Sequence, residues 1–225
     1  MAGILFIISA PSGSGKSTLV SELRKQLSGV DFAVSWTTRP PRGSEENGRE
    51  YHFTTREEFE RMNRENEFLE WAEVFGNYYG TACRFLDDAK RTGKDLLLDI
   101  DVQGAAQVRQ KVPGAVSIFV MPPNRNILER RLRNRSQVDK VDPKVIERRL
   151  ENAQKEIVNY KDYGYILVNE ILDKAVEELR SIVLSERVRR SGRQPTSDES
   201  KMMRIAEGCL LANSHDKVRP VLESF

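Results

Sequence analysis

Four short apolar runs punctuate the chain, at Ile4–Ser9, Asp95–Ile100, Val116–Val120 and Tyr165–Val168. Each is brief and apolar nearly throughout, the pattern of strands buried on both faces rather than one. Helical spacing follows them at Ser17–Leu27, Gln103–Lys111, Pro143–Asn159 and Leu172–Arg190. Asp142-Pro143 supplies an N-cap and first-turn pair for the third of these. Strands alternating with helices predict an α/β fold: a mostly parallel sheet covered on both faces.

Two stretches interrupt this rhythm. Residues 34–82 are polar and aromatic, with strands expected at Tyr51–Phe53 and Phe68–Val74 and a turn at Gly76-Asn77. Thr55-x-x-Glu58 is a capping box opening a short helix that runs to Arg64. The stretch reads as an inserted α+β lobe. Residues 124–150 are dense in arginine, with a helix-poor break at Ser136–Asp142, and read as a mobile lid. Residues 1–33, 83–123 and 151–190 form the expected core. Past Ser191 the periodicity weakens. Arg193–Lys201 reads as a linker and Met202–Ala212 as a short amphipathic helix, while Ser214–Phe225 gives no signal. Residues 191–225 are thus an extension without a functional reading.

Composition adds exclusions. Of 225 residues, 39% are hydrophobic and 31% charged, as in a well-solvated globular protein. Lysine and arginine total 36 against 34 acids, a net charge of +2, which predicts neither a nucleic-acid nor a membrane partner. Cys83 and Cys209 are far apart, with no cysteine or histidine at metal-ligand spacing. Residues 1–8 lack a basic flank, which predicts a core strand and not a signal peptide. The expected compartment is the cytosol.

The chemistry begins directly after the first strand. Ala10, Pro11, Ser12, Gly13, Ser14, Gly15, Lys16, Ser17 and Thr18 have the spacing of a phosphate-binding P-loop. Its glycines let backbone N–H groups turn inward around phosphate oxygens. Lys16 is placed to reach the β- and γ-phosphates, and Ser17 to offer a hydroxyl to Mg²⁺. The helix that follows points its positive end at the same anion. Ala10 stands where the first glycine is usual, and a small residue at negative φ serves there. These residues predict a bound nucleoside triphosphate and leave the acceptor open. Arg39 and Arg42, three apart on a segment stiffened by two prolines, suit a phosphate monoester when joined by Tyr51.

At this point the chain resembles the guanylate kinases. The likeness rests on the P-loop, S-W-T-T-R-P-P-R-x-x-E, N-G-R-E-Y, F-L-E-W-A-x-x-x-G-N-Y-Y-G-T, L-D-I-D-V-Q-G, the arginine-rich lid and V-N-E-I-L-D-K-A, over residues 3–188. It implies the P-loop NTPase-type fold, with transfer of a phosphoryl group from ATP to GMP and Mg²⁺ as cofactor. It also implies that Ser35, Glu70, Thr81 and Asp101 surround guanine, and that Arg39, Arg42, Tyr51 and Tyr79 hold the GMP phosphate. Asp99 resembles the carboxylate acting on Mg²⁺ beside Ser17. Arg135, Arg149 and Arg131 resemble lid arginines that, with Lys16, neutralise the migrating group. Asn169 resembles the residue near adenine, followed by Glu170 where the family often has aspartate.

Chemistry supports the guanine assignment. Guanine presents N1–H and the N2 amine side by side, and one carboxylate such as Glu70 accepts both. Adenine has an acceptor at N1 and leaves that carboxylate unpaired. Such polar sites reject the wrong analogue by about 10⁴-fold or more. The GMP phosphate is itself an anionic nucleophile, so no dedicated base is needed, and His52 is expected to pack beside Tyr51. The lobe is expected to move inward with GMP, and the lid with ATP. Two alternatives remain open at this stage: a catalytically inactive interaction module of the same type, and a kinase for another small phosphate ester. Oligomeric state is left undecided.

Overall fold

The apolar runs become strands because their side chains are almost all buried. In the computed structural model, which describes residues 3–139 and 143–225 (side chains at 135–139 and 143 excepted), β1 is Leu5–Ser9 and is buried throughout. Helix α1 (Lys16–Gln26) follows, then β2 (Val30–Phe32), β3 (Trp36–Thr37) and β4 (His52–Phe53). Next come α2 (Arg56–Arg64), β5 (Phe68–Val74), β6 (Asn77–Ala82), α3 (Cys83–Thr92), β7 (Asp95–Asp99), α4 (Val102–Lys111) and β8 (Val116–Met121). The chain continues through α5 (Arg125–Asp139), α6 (Pro143–Ile157), a 3₁₀ turn, β9 (Tyr165–Val168), α7 (Leu172–Ser191), α8 (Ser197–Glu207) and α9 (His215–Glu223). Five strands form a parallel sheet in the order β2-β7-β1-β8-β9, and four form a second sheet in the order β4-β3-β6-β5. The chain parts into two compact units, Met1–Ile7 with Gly29–Val116 and Ile8–Ser28 with Ser117–Phe225.

In the first unit, the second sheet carries the acceptor motifs. β5 and β6 form an antiparallel hairpin closed by Phe75 and Gly76, both at positive φ. Thr55 caps α2 by accepting from the Glu58 N–H, and Phe59 and Met62 of that helix pack on Phe68 beside Trp36 and Tyr78. His52 stacks on Trp36 at 4.1 Å, so its expected packing beside Tyr51 is replaced by an aromatic partner one strand over.

In the second unit, the expected break at Ser136–Asp142 is corrected: α5 continues through Asp139, while residues 140–142, including the proposed cap Asp142, lie outside the described residues. Leu128 and Leu132 of α5 cluster with Ile146, Leu150 and Ala153 of α6, and Phe225 packs against them. The expected linker is also corrected. Thr196 and Glu199 form a reciprocal capping box, so Ser197–Lys201 is already helix. Residues 209–211 then lie antiparallel to β9, with Ile166 N–H donating to Cys209 O at 2.7 Å and Leu211 N–H to Gly164 O at 2.9 Å. At the far end of α9, Ser224 Oγ accepts from the Arg125 N–H that begins α5, and Gln154 Nε2 donates to Phe225 O. No helix among the described residues is long and apolar enough to cross a membrane.

Candidate functional site

The phosphate-binding half lies in the second unit. Gly13 and Gly15 sit at φ 91° and 88°, a left-handed conformation that glycine adopts without a Cβ penalty. Space reinforces the requirement. A Cβ at Gly13 would lie 2.8 Å from Leu132, and one at Gly15 would lie 2.5 Å from the Asn169 amide. Helix α1 starts at Lys16 with no side-chain cap and no acid in its first turn, so its leading N–H groups are arranged for an external anion. Ser17 and Thr18 are exposed, whereas Ser14 is buried.

The Ser14 carbonyl is held from two sides. Asn169 Nδ2 donates to it at 2.8 Å and Arg131 Nη1 at 3.2 Å, while Arg131 Nη2 donates to the Asn169 carbonyl at 2.9 Å. Asn169, expected near adenine, thus has its amide nitrogen turned to the P-loop main chain. Burial, aided by the neighbouring charge of Arg130, lowers the Arg131 guanidinium below its ordinary range. Arg149 is buried on α6. Arg135 belongs to the α5 backbone, but its side chain lies outside the described residues.

The acceptor half lies in the first unit, and the guanine candidates converge there. Ser35 and Thr81 share a hydrogen bond of 3.0 Å between hydroxyls. Thr81 stands opposite Glu70 across the β5–β6 pair, where the register shifts between Phe68 and Glu70. Such irregularities re-aim a side chain, and here Phe68, Leu69 and Glu70 are buried in succession while Trp71 turns outward. Glu70 is only 3% exposed. Its carboxylate reaches the first turn of α4, so close to Gly104 that a Cβ there would lie 2.1 Å from Oε2. Asp101, at the end of the strand-like run, caps α4: Oδ1 accepts the Gly104 N–H at 2.8 Å. Its other oxygen, Oδ2, accepts from Gln103 Nε2 at 3.4 Å.

Beside this cluster lie the phosphate candidates. Arg39 is buried, its guanidinium 5.3 Å from the Tyr51 ring, and Tyr51 meets Tyr79 edge to face at 5.8 Å. Burial pushes the Tyr51 phenol above its ordinary range and the Asp99 charge adds to the shift, keeping it a proton donor at neutral pH. Asp99 is partly exposed at the end of β7.

Glu45 was not among the expected site residues, although it closes R-P-P-R-x-x-E. It accepts from Arg39 Nη1 at 2.9 Å and Nη2 at 3.1 Å, a bidentate fork, and from the Arg42 N–H at 2.8 Å. Burial alone would raise its carboxyl; the Arg39 hydrogen bond, the Arg42 N–H and both charges outweigh that and hold it below the ordinary range. For Arg39, burial works downward, but the bond to Glu45 and the Tyr79 and Glu45 charges hold the guanidinium up. Gly104, the final letter of L-D-I-D-V-Q-G, was also not among the expected site residues; it lies in α4, where Glu70 of β5 comes close to it.

The family model described as guanylate kinase matches residues 3–186. A guanylate kinase of Koribacter versatilis is 56% identical over 225 residues, all of this chain and 97% of its own. One from Syntrophotalea carbinolica is 50% identical over 84% of this chain and 89% of its own. The crystal structure of guanylate kinase from Anaplasma phagocytophilum superposes with a TM-score of 0.69 at 34% identity, covering 82% of this chain and 86% of that one. With the P-loop and the buried acceptor cluster both in place, the chain belongs to the guanylate kinase family.

Proposed function

We propose that the chain transfers the γ-phosphoryl group of ATP to GMP, giving ADP and GDP, as a cytosolic enzyme acting on free nucleotides. The observation that carries this reading is the Glu70 carboxylate, 3% exposed and opposite Thr81. Guanine presents N1–H and N2–H₂ side by side, two donors that one carboxylate accepts together. Ser35, Thr81 and Asp101 add hydroxyl and carboxylate contacts to the same base. Arg39, Arg42, Tyr51 and Tyr79 take the phosphate, with Glu45 keeping the Arg39 fork in place.

On the donor side, Lys16 and main-chain N–H groups among residues 12–18 hold the triphosphate. Arg131, Arg135 and Arg149 are assigned the charge of the migrating group, and Asn169 a place beside adenine as well as its P-loop bond. Phosphoryl transfer passes through a loose state with charge spread over its oxygens, so alignment and electrostatics do most of the catalysis. Kinases of this family generally need a divalent metal, assigned here as Mg²⁺. Among the described residues, no group of three or more His, Cys, Asp or Glu side chains is arranged to hold a metal. Mg²⁺ is a hard cation that arrives on nucleotide phosphates and keeps several waters. The exposed Ser17 hydroxyl and the Asp99 carboxylate are its proposed protein partners. When bound, the metal neutralises phosphate charge.

The test is ADP release from ATP across GMP, AMP and ribose 5-phosphate. A strong preference for GMP is expected. Equal rates with AMP, or no turnover with GMP, would overturn the reading.

A further inference from the structure

We infer that Gly104 is a specificity-determining position that acts through Glu70: by lacking a side chain, it leaves the space in which the buried carboxylate must lie to meet the purine edge. The inference rests on the GMP reading above.

Two features separate this glycine from those of the P-loop. Gly104 is not among the glycines at positive φ, so its backbone makes no demand that only glycine meets. It lies inside α4, near the N-terminus, where alanine is the better helix former. Local structure therefore favours a larger residue, and only the tertiary surroundings oppose one. A Cβ at Gly104 would lie 2.1 Å from Glu70 Oε2, 2.9 Å from Glu70 Cδ and 3.3 Å from Asp101 Oδ1. Its nearest neighbours are thus atoms of two proposed guanine ligands.

Glu70 comes to this place by design of its strand. The register shift after Phe68 turns it inward, opposite Thr81 and 3% exposed. A methyl at position 104 meets the far end of a flexible side chain, not main chain. The tip of Glu70 would yield, the helix would stay, and the carboxylate would lose its place against N1–H and N2–H₂. The expected damage is to recognition and not to folding.

The test uses full-length Gly104→Ala. KM for GMP is expected to rise about tenfold to a hundredfold, the loss of charge-assisted hydrogen bonds. KM for ATP should be unchanged, and the melting temperature unchanged or higher. Discrimination between GMP and IMP, which lacks the N2 amine, should shrink, a readout that a general packing defect would not move. Because shortening the side chain relieves the contact, Glu70→Asp in the Gly104→Ala background should cost less than the same change in the parent protein. Unchanged KM for GMP with intact GMP/IMP discrimination would overturn the inference. So would a parallel rise in KM for ATP, or loss of the folded state, which would mean that the backbone and not Glu70 gives way. If the unmodified chain fails to phosphorylate GMP, the activity reading falls first and takes this inference with it; if it does phosphorylate GMP, a failure here concerns Gly104 alone.

Discussion

The P-loop and the acceptor cluster, as proposed, would meet their ligands with different parts of the chain. The loop is nine consecutive residues, Ala10 to Thr18, whose proposed working groups are main-chain N–H joined by the Lys16 and Ser17 side chains, and whose Gly13 and Gly15 sit at positive φ. The acceptor cluster is assembled from side chains scattered between Ser35 and Gly104, joined by the Ser35–Thr81 bond, the Glu45–Arg39 fork and the Glu70–Gly104 contact. Phosphates are alike in every nucleotide, so a loop of amides with one lysine suffices for them. Telling guanine from adenine needs acceptors at particular places, and those come from side chains held by tertiary structure. The main-chain device should therefore fail by losing rate, and the side-chain device by losing selectivity.

Four substitutions press on that contrast, in order of expected effect. Lys16→Ala removes the charge that the main-chain loop cannot supply. Turnover should fall about a thousandfold or more, with circular dichroism unchanged; near-normal rates would mean that the P-loop assignment is wrong. Glu70→Gln keeps shape but gives up the charged acceptor. KM for GMP should rise about tenfold to a hundredfold while KM for ATP holds, as read in steady-state assays. If both rise together, the two recognition sites are not separable.

Glu45→Gln loosens the Arg39 fork, and KM for GMP should rise about tenfold or less. It also carries a pH signature. The Glu45 carboxyl is held below its ordinary value of 4.5, so its contribution to stability is complete above that value and is lost as pH falls through the lowered one. Glu45→Gln should flatten this part of the acid limb in melting experiments. The smallest effect is expected from Phe225→Ala, which thins the α5–α6 cluster beside Arg131 and Gly13. It should cost about 1–2 kcal/mol of stability and raise KM for ATP more than KM for GMP.

How much was legible follows from the same contrast. The P-loop and the four buried core strands were readable because their signals are contiguous. Glu45 and Gly104 were not, since a carboxylate three residues past an arginine and a glycine in a helix mean little until Arg39 and Glu70 come to meet them. Short strands were missed for a related reason. β3 is two residues long and is defined by its partners β4 and β6, not by a pattern of its own. α3 escaped because Ala82 offers no capping side chain to announce it. α8, by contrast, was written in the chain: Thr196-x-x-Glu199 has the spacing that located α2, and the Gly192 and Pro195 before it masked the signal as a linker.

The pairing of residues 209–211 along β9 carries one more consequence. β9 is the last strand of its sheet, and an open strand margin is an adhesive template on which other polypeptides can build. The segment beyond α7 covers the Gly164–Ile166 end of that margin with its own backbone. Shortened at Ser191, the chain would keep every residue assigned to nucleotides and still present a sticky border, so its failure would be measured first in turbidity and only afterwards in turnover.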